Sequence, residues 1–408
     1  MRKGKIAVIG GGAAGMMAAI TSARRQMDVT IFESTNRVGN KLLLTGNGKC
    51  NFSNVYLEDS CYYCKDYELL KKTFEKFSPK DAENFFMDSG MLIKNKNGYL
   101  YPQGEQASIV LDILRIQLKK ENVTIITEAK VKKITKENQD FFIETENGHT
   151  YTFDKVILTT GGRSYPKTGS DGSGYKLAKK LGHTVFPTVP ALVQLIGKDD
   201  FYKIVAGVRS EGVVCLKIDE QEIRKESGEI QFTDYGISGI PIFQLSRMAS
   251  YGLFDKKNVQ IIVDVLPDIH NIKEFVDMRY ALHKENTLEE FMCGIANKKL
   301  CLLAIKLNNL GPNKKVDTLT KQELVNIVTT LKHIVFHIKD TKSYDTAQVT
   351  AGGVLLSEIS EDFSSKITEN LYFAGEILDV DGICGGYNLH WAFASGFVAG
   401  HTAAGEKL

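Results

Sequence analysis

The run Lys5-Ile6-Ala7-Val8-Ile9 is apolar without alternation and ends on Gly10-Gly11-Gly12-Ala13-Ala14-Gly15. A continuous apolar run closed by glycines predicts a strand buried on both faces rather than one with a wet side. Met16 to Arg24 then predicts a helix, and a second strand ends on Glu33. Val123-Thr124-Ile125-Ile126, Val131 to Ile134, Phe141 to Thr145 and Thr150 to Thr159 read as strands, with Asn147-Gly148 as a hairpin turn, and are expected to form a small antiparallel layer. The run Lys155 to Thr159, continuing into Thr160-Gly161-Gly162, has the apolar character of a strand returning to the first sheet. From Pro187 and Pro190 the pattern changes. Gly212 to Ile218 and Val259 to Val265 suggest a β-rich module, followed by helical spacing over Leu282 to Leu310 and Lys321 to Thr330. After Tyr344 a glycine-rich tail holds the strand Leu371-Tyr372-Phe373-Ala374 and the helical run Leu389 to Thr402. The expected organisation is a discontinuous first domain, 1–188 and 345–408, interrupted by an insert at 189–344.

Strand, glycine turn, helix and acid in this order make a dinucleotide site. Gly10 permits the tight turn, Gly12 lets the backbone approach a pyrophosphate, and Gly15 lets the helix pack closely on the sheet. The helix N-terminus offers unpaired N–H groups and the positive end of its dipole to the phosphates. Glu33 follows at about the ~20-residue offset of an acid that accepts from ribose hydroxyls. On this reading, replacing Glu33 by Ala weakens nucleotide binding without unfolding the protein.

Composition narrows the class. At 408 residues the chain exceeds the size at which one core stops growing, so more than one subdomain is expected. With 43% hydrophobic residues, 25% charged and a net charge of +2, nothing points to nucleic acid or a membrane surface as partner. No apolar stretch approaches a membrane span or a signal-peptide core, which places the protein in the cytoplasm as an expectation. Seven scattered cysteines argue against a disulfide framework. The oligomeric state is not legible.

Three further segments carry a family resemblance. They are Lys41-Leu42-Leu43-Leu44-Thr45-Gly46-Asn47-Gly48-Lys49-Cys50-Asn51-Phe52-Ser53-Asn54, then Gly161-Gly162-Arg163-Ser164-Tyr165-Pro166-Lys167-Thr168-Gly169-Ser170, then Gly375-Glu376-Ile377-Leu378-Asp379-Val380-Asp381-Gly382 with Gly385-Gly386-Tyr387-Asn388-Leu389. Together they resemble the bacterial NAD(P)/FAD-dependent oxidoreductases that include aminoacetone oxidase and a bile-acid 4,6-reductase. In that family the first segment carries Gly and Arg where this chain has Asn47 and Lys49. The resemblance implies an α/β fold: a discontinuous, glutathione-reductase-like Rossmann FAD domain with an inserted β-rich and helical substrate domain. Phe232 to Pro241 is similar to a family block that faces the active cavity, although a turn and helix start explain it equally.

FAD is longer than one turn can hold, so separated segments are expected to converge on it. The pyrophosphate falls to Gly10, Gly12, Ala13, Ala14 and Gly15, and the ribose to Glu33 with Ser34. Arg37 and Lys41 either neutralise phosphate or cover the adenine, or are solvated surface cations. By resemblance, Val131 offers backbone groups to the adenine, and Gly48, Lys49, Cys50, Asn51, Thr160, Gly161 and Gly375 also line the cofactor. One of Glu376 and Asp379 is expected to accept from the ribityl hydroxyls, since buried acids need partners. Gly386, Tyr387, Asn388 and Leu389 open a helix whose N–H groups face the flavin N1 and O2 region, where negative charge grows on reduction.

Other motifs carry less. Cys50 has no resolving cysteine nearby in sequence; Cys384 could approach it, but two reduced thiols are the expectation. Cys61 and Cys64 read as structural, and His333 and His337 sit in a β-branched run where they would not share a metal, so no metal is expected. The activity expected is hydride transfer from NADH or NADPH, bound transiently, through FAD to a small unsaturated, enone-like or steroid-like substrate. The substrate cavity is expected where the insert meets the 46–51 loop, the 161–170 loop and the 383–388 turn. Two alternatives stay open: an amine oxidase returning electrons to O2, and a flavin-binding module without enzyme activity. No catalytic acid or base is recognisable.

Overall fold

The computed structural model describes residues 4–406. Contacts divide the chain into two units, Met1–Val189 with Tyr344–Leu408, and Pro190–Ser343.

The first unit is built on a five-stranded sheet in the order Leu371–Phe373, Lys155–Leu158, Lys5–Ile9, Asp28–Phe32, Thr124–Ile126. All neighbours are parallel, with Val8 opposite both Ile157 and Ile31, and Leu158 opposite Phe373. Ile6, Ala7 and Val8 have no exposed surface, as their unalternated pattern requires. The strand at 124–126 therefore belongs to this sheet and not to the antiparallel layer, which consists of Val131–Glu137, Asp140–Thr145 and Thr150–Phe153. The run expected as one strand over 150–159 is split at Asp154, whose carboxylate takes the Lys5 N–H at 2.6 Å. That bond ends the antiparallel strand, and the next residue starts the parallel one.

The helix Ala13–Ala23 packs against a second long helix, Tyr387–Ala403. Close approach is possible because Gly396 and Gly400 face Ala14 and Ala18: a Cβ added there would lie 2.4 and 2.6 Å from their carbonyl oxygens. Ser22 Oγ donates to the Gly400 carbonyl at 2.9 Å, fixing the register.

The second unit is a closed barrel of strands Leu195–Gly197, Gly236–Gly239, Gln221–Phe232, Arg209–Ile218, Val259–Asp264 and Ile334–Thr341. The helix Ile240–Phe254, with Pro241 in its first turn, follows the strand Gly236–Gly239 directly. Helices Ile272–His283, Leu288–Met292, Lys298–Leu307 and Lys321–Lys332 share its core. The helical spacing over 282–310 is thus not one helix. A capping box at Thr287 and Glu290 starts a new one, and Gly294 at φ +81° separates it from the next. His337 lies on the strand Ile334–Thr341, with Nδ1 3.0 Å from Asp199, while His333 ends the preceding helix.

Candidate cofactor site

The glycine turn behaves as its spacing requires. Gly10, at φ +105°, closes on the next strand, and a Cβ on Gly15 would fall 2.0 Å from the Gly10 carbonyl oxygen. A Cβ on Gly12 would meet nothing within 4 Å, so the backbone there faces open space. No side chain caps the helix that begins at Ala13, which leaves the first-turn N–H groups of Ala13, Ala14 and Gly15 without intrahelical acceptors. Such a helix start can hold an anion with backbone groups alone.

Glu33 is buried at the end of its strand. Its carboxylate accepts from Gly11 N–H at 2.9 Å and from Thr35 N–H and hydroxyl, each at 2.8 Å, with Ser34 Oγ at 3.2 Å. The segment leading to Val131 joins the same corner, since Ala129 N–H donates to Glu33 O and Glu128 N–H to Thr35 O. Val131 itself is buried opposite Thr145.

A third segment runs between the two ends. A Cβ on Gly169, at φ +97°, would lie 2.8 Å from Ser34 Oγ and 3.3 Å from Glu33. The far end of the 161–170 loop therefore packs on Ser34 and Glu33. Gly161, at φ +70°, lies beside Ser170 and Glu376. Glu376 takes Lys41 Nζ at 2.5 Å and Thr350 N–H at 2.8 Å, and Thr350 Oγ1 accepts from Arg163 and Ser164 N–H. Lys41 is thus neither a free surface cation nor a charge held out for phosphate alone, because it is ion-paired with Glu376. Arg37 is exposed, and its Nε donates to Asn40 at 2.7 Å.

The 46–54 segment meets the other helix start. Asn51 Oδ1 and Ser53 O both sit 2.8 Å from where a Cβ on Gly386 would be, and Gly386 at φ +91° begins the Tyr387–Ala403 helix without a side-chain cap. Gly48 is open around its Cα. Lys49 reaches Glu105 at 3.4 Å. Cys50 is buried at φ +56°, and burial pushes its thiol up to about 12, so it is not a thiolate nucleophile. None of the seven cysteines is in a disulfide, Cys50 and Cys384 included.

Gly375, at φ +80°, touches Ala14, and its N–H donates to Ser395. Asp379 is buried, and its N–H donates to Val354 O. Asn388 uses its side chain to clamp Gly382, accepting its N–H and donating to its carbonyl, each at 2.8 Å. Its amide is therefore structural, and what it can offer a cofactor is backbone. Tyr387 is buried, with its carbonyl accepting from Tyr62 at 3.0 Å; Leu389 is half-buried on the same turn.

Buried polar atoms without protein partners test whether FAD fits. The hydroxyls of Thr160, Ser170, Tyr175 and Tyr344 and the Oδ1 of Asn51 are all in this state. Thr160 lies beside Gly10, Ser170 beside Gly161, and Asn51 beside Gly386. A long ligand with phosphate, hydroxyl and amide-like groups would satisfy them. Nothing in the sequence pattern marks Tyr175 or Tyr344, whereas Thr350 stands two residues before the Gly352-Gly353 pair, which could have marked its position.

Comparison with known proteins agrees with the geometry. Residues 4–402 match the model of the HI0933-like protein Rossmann domain. The chain is 39% identical over 407 residues to a 3-dehydro-bile acid delta(4,6)-reductase of Clostridium scindens, covering 98% of this chain and 99% of that protein. It is 28% identical to a ribosomal RNA dihydrouridine synthase of Escherichia coli, covering 98% of each. Among solved structures, the 3-ketosteroid delta1-dehydrogenase of Sterolibacterium denitrificans shares the fold at 12% identity, with a TM-score of 0.52, covering 98% of this chain and 99% of that one. No helix among the described residues is long and apolar enough to cross a membrane. With its glycine turn, buried acid and second uncapped helix start, the chain belongs to the HI0933-like Rossmann family of FAD-dependent oxidoreductases.

Proposed function

We propose that the protein uses FAD, reduced by NADH or NADPH, to saturate a carbon–carbon double bond conjugated to a carbonyl in a small organic substrate. The observation that carries this reading is a pair of helix starts without side-chain caps, at Ala13 and at Gly386, with partnerless buried polar atoms beside the glycines of each, Thr160 at Gly10 and Asn51 at Gly386. The two named relatives support the substrate class. A ring double bond conjugated to the 3-oxo group of a bile acid and the uracil double bond beside its carbonyl are the same kind of acceptor.

Bound FAD supplies two-electron chemistry. The chain's part is binding, placement and charge. Backbone N–H groups from Ala13 to Gly15 hold the pyrophosphate, and Glu33 accepts from the ribose hydroxyls. Lys41 neutralises Glu376, so that this acid can stand beside an anionic ligand while remaining held by Thr350. The N–H groups opening the Tyr387–Ala403 helix stabilise negative charge at the N1 and O2 edge by about 1 kcal/mol. Cys50, buried and protonated, adds no redox step.

The test is anaerobic stopped-flow. FAD-loaded protein should be reduced by one nicotinamide faster than the other, and then reoxidised by a 3-oxo-4-ene steroid with loss of the enone absorbance. Reoxidation by oxygen alone, with the enone untouched, would replace this reading with the oxidase.

A further inference from the structure

The hairpin Ile93–Lys96 and Tyr99–Pro102 carries an unusual charge balance beside Gly385. Its register sets Lys94 opposite Tyr101 and Lys96 opposite Tyr99, which puts two lysines and two tyrosines on one face. Lys94 and Lys96 Nζ each lie 2.6 Å from the same oxygen of Glu105, and Lys49 reaches its other oxygen at 3.4 Å. Three ammonium groups share one carboxylate, whose acidity they raise until it titrates at about 2. Two positive charges on this face are left over, and like charges this close repel one another.

The face is tied to the flavin-end turn. Asn54, paired with Tyr99, donates from Nδ2 to the Gly385 carbonyl at 3.1 Å, and the Tyr99 ring lies 3.1 Å from where a Cβ on Gly385 would be. Lys49 is two residues from Asn51, which packs on Gly386. Lys96 also stands over the Tyr101 ring at 5.6 Å. Half-exposed lysines around flat aromatic surface can hold an oxyanion at one end of a molecule and its apolar or planar body at the other.

We propose that Lys94 and Lys96, with Tyr99 and Tyr101, form an oxyanion-recognition face beside the flavin-end turn that selects for a negatively charged reactant. The inference rests on the reductase reading above. The oxyanion is a carboxylate on the substrate or a phosphate of the nicotinamide dinucleotide, for which the sequence has no second strand-and-glycine unit. No bond is made or broken by these residues; they set KM.

The experiment compares FAD-loaded wild type with the double variant Lys94→Gln, Lys96→Gln, in oxidised protein where no turnover occurs. Calorimetry measures binding of a 3-oxo-4-ene steroid with a side-chain carboxylate, of its methyl ester, and of NADPH. Two partly exposed ion contacts correspond to roughly tenfold in affinity. A tenfold loss for the acid with the ester unchanged supports the proposal and assigns the carboxylate. A tenfold loss for NADPH alone supports it and assigns the phosphate. Unchanged binding of all three, or equal weakening of acid and ester with NADPH unchanged, overturns it. If lysine-dependent binding is present but no conjugated double bond is reduced by the wild type, the reductase reading fails while this one stands.

Discussion

Replacing Glu33 by Ala removes an acceptor that the folded protein uses even before a nucleotide arrives. The carboxylate is 6% exposed and takes two backbone N–H groups, from Gly11 and Thr35, with two hydroxyls completing the set. Each donor stranded in a buried place costs about 1–3 kcal/mol. The Gly11 bond is buried and the Thr35 bonds partly so, which gives roughly 2–4 kcal/mol for the pair. Besides the expected loss of nucleotide binding, the still-folded apoprotein should therefore melt about 5–10 °C lower in calorimetry. FAD affinity, read by quenching of flavin fluorescence in a titration, should fall by about 1.5–3 kcal/mol more than the stability loss alone explains. Glu33→Gln, which keeps one acceptor oxygen, should recover about half of the melting loss. An apoprotein of unchanged melting temperature would show that the Gly11 and Thr35 N–H groups find other partners, and the argument would fail.

Gly12 and Gly15 of the turn should separate binding from folding. Gly12→Ala places its methyl in open space, so melting should hold while FAD affinity drops at least tenfold; Gly15→Ala, with its methyl 2.0 Å from a carbonyl oxygen, should instead yield little folded protein. Soluble expression and FAD titration of both variants check this. Asn388→Ala breaks both bonds to Gly382 and should lower stability by about 1–3 kcal/mol in urea unfolding; Asn388→Asp, which keeps only the acceptor, should be no better. His390 is fully buried with Nδ1 on Ser53, and burial lowers its proton affinity to about 3. Its unfolded value is about 6.5, so the unfolded state binds the extra proton, and stability present above 6.5 is lost as pH falls toward 3. Between pH 6.5 and 5 the loss is about 2 kcal/mol, and chemical denaturation of His390→Gln should show a stability loss smaller by that amount over the same interval.

The parallel strands at 5–9, 28–32 and 155–158 and the turn at 10–15 were legible because an unalternated apolar run and a glycine triplet each have few other uses. The strand at 124–126 departs from the antiparallel layer expected of it for the opposite reason: three residues carry no periodicity, and only pairing with Asp28–Phe32 decides its sheet. The acid at 33 was visible from its offset, but not its bonds to Gly11 and Thr35, which exist only once the turn has closed. Lys41 and Glu376 illustrate the same limit. Each alone reads as a charge offered to the cofactor, and 335 positions of chain hide the fact that they neutralise each other. The barrel's closure was equally hidden, since Leu195–Gly197 and Ile334–Thr341 signal nothing of their pairing.

The glycine faces that let the helices Ala13–Ala23 and Tyr387–Ala403 touch also set an order of events during synthesis. The first helix emerges early with Met16, Met17 and Ile20, side chains that end fully buried, and the partner that covers this helix is made nearly four hundred residues later. At ribosomal speeds of about 5–20 residues per second that is an interval of roughly 20–80 s. For the later part of that time the nascent chain also carries an unpaired sheet edge at Lys155–Leu158, since its neighbour Leu371–Phe373 is made more than two hundred residues after it. The order of synthesis thus leaves apolar faces of this unit uncovered until its last segment is made.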